Sequence, residues 1–160
     1  MRREKQSQDS KGPRGITLLE LLVVVALASL LIAVVFPSVG AGLRTLELRS
    51  SAQRLASAMR FARDQAIHRQ RFFQLEIDRE HRTISVLDLE KGERRSFELP
   101  ASVEVEKVLP EDGGQPSPTR QFLFFPGGGS PPFQVVLGNQ NRQVTVSADP
   151  LTGFPKVSGL

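Results

Sequence analysis

Apolar residues change their spacing twice along the chain. Residues 16–36 are apolar at nearly every position and carry one charge, Glu20. At a helical rise of about 1.5 Å per residue such a run reaches roughly 30 Å, the thickness of a bilayer's hydrocarbon core. After Gly42 the apolar residues Leu48, Ala52, Leu55, Met59, Ala62 and Ala66 recur at spacings of four and three, which puts them on one face of a helix. From Phe72 the period becomes two. Residues 72–78 and 82–87 alternate on either side of Asp78-Arg79-Glu80-His81 and predict a hairpin. Further strands are predicted at 95–99, 102–108, 121–125, 133–137 and 142–147, with Asn139-Gln140-Asn141 as turn chemistry between the last two. A long helix followed by antiparallel strands is an α+β plan.

Pro37 removes a helix hydrogen bond and crowds the preceding turn, so a kink or break is expected there, with Gly40 and Gly42 loosening the same region. The chain divides into a basic leader (1–15), a membrane-spanning helix (16–37), an amphipathic helix (38–71) and a β-rich globular domain (72–160). The apolar stripe of the second helix is expected to pack on the protein's own sheet. Its arginines, Arg44, Arg49, Arg54, Arg60, Arg63 and Arg69, should form a solvated face able to meet acidic neighbours. Residues 109–120, rich in Pro and Gly, read as a polar loop and a candidate for partner contacts.

Charge refines this picture. The net charge is +4, yet residues 1–15 alone carry +3 and residues 44–71 carry +5, so the rest of the chain is acidic. Five Lys or Arg residues precede the apolar run, and Arg44, Arg49 and Arg54 follow it. That balance keeps the N-terminus in the cytoplasm. There is no cysteine, so neither a disulfide nor a thiolate metal site is available and stability must come from packing.

Three readings compete for the N-terminus. A secretory signal peptide would be cut near Val39-Gly40-Ala41, but the apolar run is longer than such peptides use, and it contains a Glu. A plain anchor explains the length and leaves Glu20 without purpose. The third reading rests on Gly15-Ile16-Thr17-Leu18-Leu19-Glu20, a basic leader ending in Gly before an apolar run whose fifth residue is Glu. This resembles the processing site of type IV prepilins and type II secretion pseudopilins. The resemblance implies cleavage after Gly15 by a membrane aspartyl peptidase and N-methylation of Ile16, which stands where the family usually has Phe. It also implies that Glu20 meets the N-terminal amine of a neighbouring subunit during filament assembly. Two physical points fit. Gly15 lets the backbone lie extended in a protease cleft, and a carboxylate inside a membrane is expensive unless paired. The simpler account of Glu20 is an anion favoured at a helix N-terminus by the dipole.

The second half of the chain narrows the resemblance. Phe125-Pro126-Gly127-Gly128-Gly129-Ser130, and Val144-Thr145-Val146-Ser147 running into Leu151-Thr152-Gly153, are similar to the general secretion pathway protein H and pilin FimT/FimU group. That group usually has a basic residue after the last Gly, where this chain has Phe154. The resemblance implies a pilin-like fold, its sheet against the C-terminal half of the helix. The implied function is that of a minor pseudopilin of type II secretion. The implied partners are other pseudopilins, the prepilin peptidase and the bacterial inner membrane, with the domain in the periplasm. A type IV minor pilin with adhesion, twitching or DNA-uptake roles is the alternative, and a secreted domain released by signal peptidase a third.

No catalytic constellation or cofactor site is expected. His68 and His81 lack metal-ligand spacing. Gly127-Gly128-Gly129-Ser130 lacks the Lys of a phosphate loop, and no Gly-x-Ser-x-Gly elbow occurs. Arg142 and Lys156 near Asp149 make a poor footprint for DNA, so no nucleic-acid partner is expected.

Overall fold

The computed structural model describes residues 17–111, 117–140 and 142–159; within the helix the side chains of 34–41 lie outside the description. Among the described residues one α-helix, α1 (Leu18–Arg69), is followed by eight strands. The chain forms two compact units, Met1–Val39 and Gly40–Leu160. At Pro37, where a kink or break is expected, the backbone is assigned to the helix without interruption. A proline deletes a single N–H donor there, and the flanking turns keep their own bonds.

In the second unit the strands are β1 (Phe73–Asp78), β2 (Thr83–Asp88), β3 (Arg94–Glu98), β4 (Glu104–Leu109), β5 (Thr119–Phe124), β6 (Phe133–Asn139), β7 (Arg142–Ala148) and β8 (Pro155–Ser158). All strand pairings are antiparallel, in two four-stranded sheets ordered β3-β2-β1-β5 and β4-β6-β7-β8. The predicted hairpin forms, with Asp78 opposite Thr83, and β6 and β7 pair across the predicted turn, with Asn139 opposite Arg142. The strands predicted from periodicity agree to within two residues at each end. Strand β8 escaped prediction because it is short, begins at a proline and is largely exposed.

The helix stripe is buried as its spacing requires: Leu48, Ala52, Leu55, Met59, Ala62 and Ala66 join inward residues of both sheets in one core. Small residues at three of these positions let strands approach the helix closely. Aromatic rings join the sheets. Phe122 of β5 stacks on Phe133 of β6 with centroids 4.1 Å apart, and Phe124 meets the same ring edge-on at 6.3 Å. Arg79, at the tip of the first hairpin, also bridges the sheets by donating to the carbonyls of Val105 (3.2 Å) and Glu106 (3.0 Å). Those carbonyls lie at a register shift in β4 between Val105 and Lys107. The Glu106 side chain fills the space where Gly138 has no Cβ, and its carboxylate accepts from Gln143. A glycine inside a strand marks such a close approach.

The first hairpin is closed by Asp78, which accepts from the His81 backbone N–H and pairs with its ring, both at 2.9 Å. The backbone N–H of His81, then its ring, hold Asp78 below the ordinary carboxylate range. The hydrogen bond from Asp78, reinforced by its charge, raises His81 above 6.5. A raised histidine contributes stability below its unfolded value and loses it as pH rises through the folded one; a lowered Asp contributes above 3.8 and loses it in acid. The melting temperature is therefore expected to fall as the pH is taken from below to above 6.5. His81→Gln should flatten that part of the thermal-unfolding profile, and an unchanged slope would show that the pair contributes nothing.

Candidate assembly surfaces

Leu18 opens the helix, and Thr17 caps it. The Thr17 hydroxyl accepts the backbone N–H of Glu20 at 3.2 Å, and its carbonyl accepts that of Leu21 at 3.1 Å. Thr17 and Glu20 thus match the Thr-x-x-Glu pattern of a capping box, of which only the Thr17 half forms. The cap satisfies the first turn through the backbone and leaves the Glu20 carboxylate exposed, without a partner among the described residues. The other polar side chain of this stretch, Ser29, donates to the Val25 carbonyl at 2.8 Å and is satisfied within the helix. From Leu18 to Ile32 the large apolar side chains are exposed on every face, Leu18 at 82% and Ile32 still at 64%. A helix apolar all round needs a cover of lipid or other helices. Among the described residues no helix is long and apolar enough to cross a membrane; the described side chains stop short of the end of the apolar run. Gly15 and Ile16, the expected cleavage site, lie outside the described residues.

The two turn motifs meet on the helix. In the first, Gly128 has φ +85° and donates to the Phe125 carbonyl (2.8 Å), while Phe125 donates to that of Gly129 (3.0 Å). A Cβ on Gly128 would lie 2.8 Å from Ile67 of the helix. In the second, Asp149 Oδ1 accepts from the Leu151 and Thr152 backbones and from the Thr152 hydroxyl. The Thr152 backbone and hydroxyl, the strongest of these, hold Asp149 below its ordinary value. Gly153, at φ +65°, packs its α-carbon against the Gly128 carbonyl. Arg63 reaches across from the helix, donating to the Thr152 carbonyl (2.5 Å) with its guanidinium 4.1 Å from the centre of the Phe154 ring. Two glycine turns and one helix turn therefore interlock.

A protein-family model described as type II transport protein GspH matches residues 51–151, from the buried helix stripe through the first turn and into the start of the second. The chain belongs to the GspH family. A second model, the prokaryotic N-terminal methylation motif, matches residues 10–36. The type II secretion system protein H of Pseudomonas aeruginosa PAO1 is 28% identical over 163 residues, covering 87% of this chain and 92% of its own. The minor pseudopilin EpsH of the Vibrio cholerae type 2 secretion system has the same fold (TM-score 0.57, 20% identity, 71% of this chain and 97% of that one). So does the type IV minor pilin FimU of P. aeruginosa (TM-score 0.55, 16% identity, 71% and 90%).

Within this GspH-family fold the arginine face is only partly solvated. Arg44, Arg49, Arg54 and Arg60 are exposed as expected. Arg63 is locked into the turns, Arg69 pairs with Asp88 and Glu93 (both 3.3 Å), and Arg71 pairs with Glu90 (2.9 Å). Asp88 is buried, which opposes its ionisation most. The backbone N–H groups of Lys91 and Glu90, with Arg69, outweigh that and hold it low. A helical arginine read as solvent-facing can thus be structural where a strand turn brings a carboxylate or carbonyl over it. Among the described residues no cluster of His, Asp or Glu is arranged to hold a metal ion.

Proposed function

We propose that this chain is a minor pseudopilin of a type II secretion system. It is cut after Gly15, methylated at Ile16, and built into a filament through its apolar helix, Glu20 and the lateral faces of its domain. The family match over residues 51–151 carries this reading, and the methylation-motif match over 10–36 supports the processing step. The helix is held in the inner membrane before assembly, with the leader cytoplasmic and the domain periplasmic. Pro37 supplies the point where the helix bends as a subunit leaves lipid. The partners are other pseudopilins and the prepilin peptidase. The work done is subunit interaction, not catalysis, and uses no cofactor or nucleic acid.

N-terminal mass spectrometry of the protein recovered from membranes tests this. A chain starting at Ile16 with one added methyl group is expected, and Gly15→Val should leave the leader attached. A start at Gly42, or an intact Met1 in the unsubstituted chain, would exclude a prepilin.

A further inference from the structure

A groove of about 520 Å³ runs between α1 and β3. Ala58 and Phe61 of the helix and Phe97 of β3 form its apolar floor, and Ser57 lies on its helix side. Arg54 and Arg95 rise from opposite walls, one from the helix and one from the strand. Arg95 lies 4.7 Å from the centre of the Phe61 ring. Neither guanidinium has an ion pair among the described residues, and no carboxylate lines the groove. The contrast with Arg63, Arg69 and Arg71, each paired or hydrogen-bonded, is sharp. β3 is also the edge strand of its sheet, so among the described residues one side of its backbone has no strand beside it.

We propose that this groove docks an extended acidic segment of a neighbouring filament subunit, laid along β3. Of the side chains on its groove-facing side, the carboxylates would meet Arg54 and Arg95, and the apolar ones, two residues along, would settle on Ala58 and Phe97. An extended segment supplies both needs at once, because every second side chain faces the groove while its backbone pairs with the strand edge. Arginine's planar fork suits carboxylates in particular. That the segment belongs to a filament neighbour rests on the proposed function; that the groove takes an acidic strand does not.

The test uses the full chain in neutral detergent micelles and a short peptide in which every second residue is Glu or Leu in turn, with Thr between them, bearing an uncharged fluorophore and followed by fluorescence anisotropy. Saturable binding is expected, and the peptide with Gln in place of Glu should bind far less. R54Q and R95Q should each weaken binding about fivefold, in keeping with partly exposed charge pairs, and high salt should do the same. R54Q should melt like the unsubstituted chain, whereas R95Q gives up its contact with the Phe61 ring and should melt slightly lower, so Arg95→Lys, which keeps the charge there, should bind more strongly than R95Q. The chain has no cysteine, so Ser57→Cys gives a single thiol in the groove whose maleimide labelling the acidic peptide should slow. Equal binding of the Gln peptide, or full binding by the R54Q/R95Q double variant, overturns the proposal even if the mature chain starts at Ile16. If the chain self-associates and the double variant abolishes that instead, the occupant is a second copy and the proposal fails.

Discussion

Substituting Gly153 with alanine is expected to destabilise the domain by about 3 kcal/mol, a loss of roughly 10 °C in melting temperature for a unit of this size. Two costs add. The residue sits at φ +65°, where an L side chain is strained by about 1–2 kcal/mol. Its new Cβ would also fall 2.1 Å from the Gly128 carbonyl oxygen, backbone that can yield only if the first turn moves off Ile67. Gly92 provides the control. It has nearly the same φ, +71°, in the hairpin between β2 and β3, but nothing lies within 4 Å of a Cβ there. Gly92→Ala should therefore cost only the conformational part, about 1 kcal/mol. Thermal unfolding of the two variants side by side separates strain from collision. Equal losses would mean that the two turns are not locked together.

That interlock marks a boundary of what the residue pattern could reveal. The helix stripe from Leu48 to Ala66 was legible because burial on one face imposes a spacing, and each of its six residues is buried. The hairpins were legible because a polar turn separates two alternating runs. Alternation reports which face of a strand is covered, not which strand lies beside it. The division of eight strands into two sheets therefore had no local signature, and neither did the stacking of Phe122 on Phe133 that joins them. The two glycine turns stood out individually by composition. Their contact, and the Arg63 that spans it from 89 residues away, depends on how the sheets fold back on the helix. The groove beside β3 is hidden for the same reason: Arg54 and Arg95 face each other only once helix and edge strand are placed. At the N-terminus the reverse holds, since Thr17 and Glu20 carried the capping signal in plain sequence.

Glu20→Leu is expected to leave membrane insertion and cleavage after Gly15 intact while reducing recovery of the chain in filaments by up to about a hundredfold. If the helix is held in lipid before assembly as proposed, the carboxylate costs up to about 3 kcal/mol there, less near the interface. Pairing with an amine in the filament would recover that cost, and the recovered energy biases the subunit towards assembly. About 3 kcal/mol corresponds to roughly a hundredfold in an equilibrium constant. Leucine removes the cost from the lipid state and the gain from the filament together, so the bias disappears although the helix becomes more apolar. The cap distinguishes this from a merely local role. Thr17 satisfies the Glu20 backbone N–H whatever side chain residue 20 carries, so Glu20→Leu keeps the hydroxyl cap while Thr17→Val removes it. If capping were all that mattered, Thr17→Val would impair assembly more than Glu20→Leu. If Glu20 serves as the partner of an amine, the order reverses, and Glu20→Asp, with a shorter reach to the same charge, should assemble to an intermediate extent. Quantifying each variant in sheared filament fractions against its membrane-bound pool decides between the two.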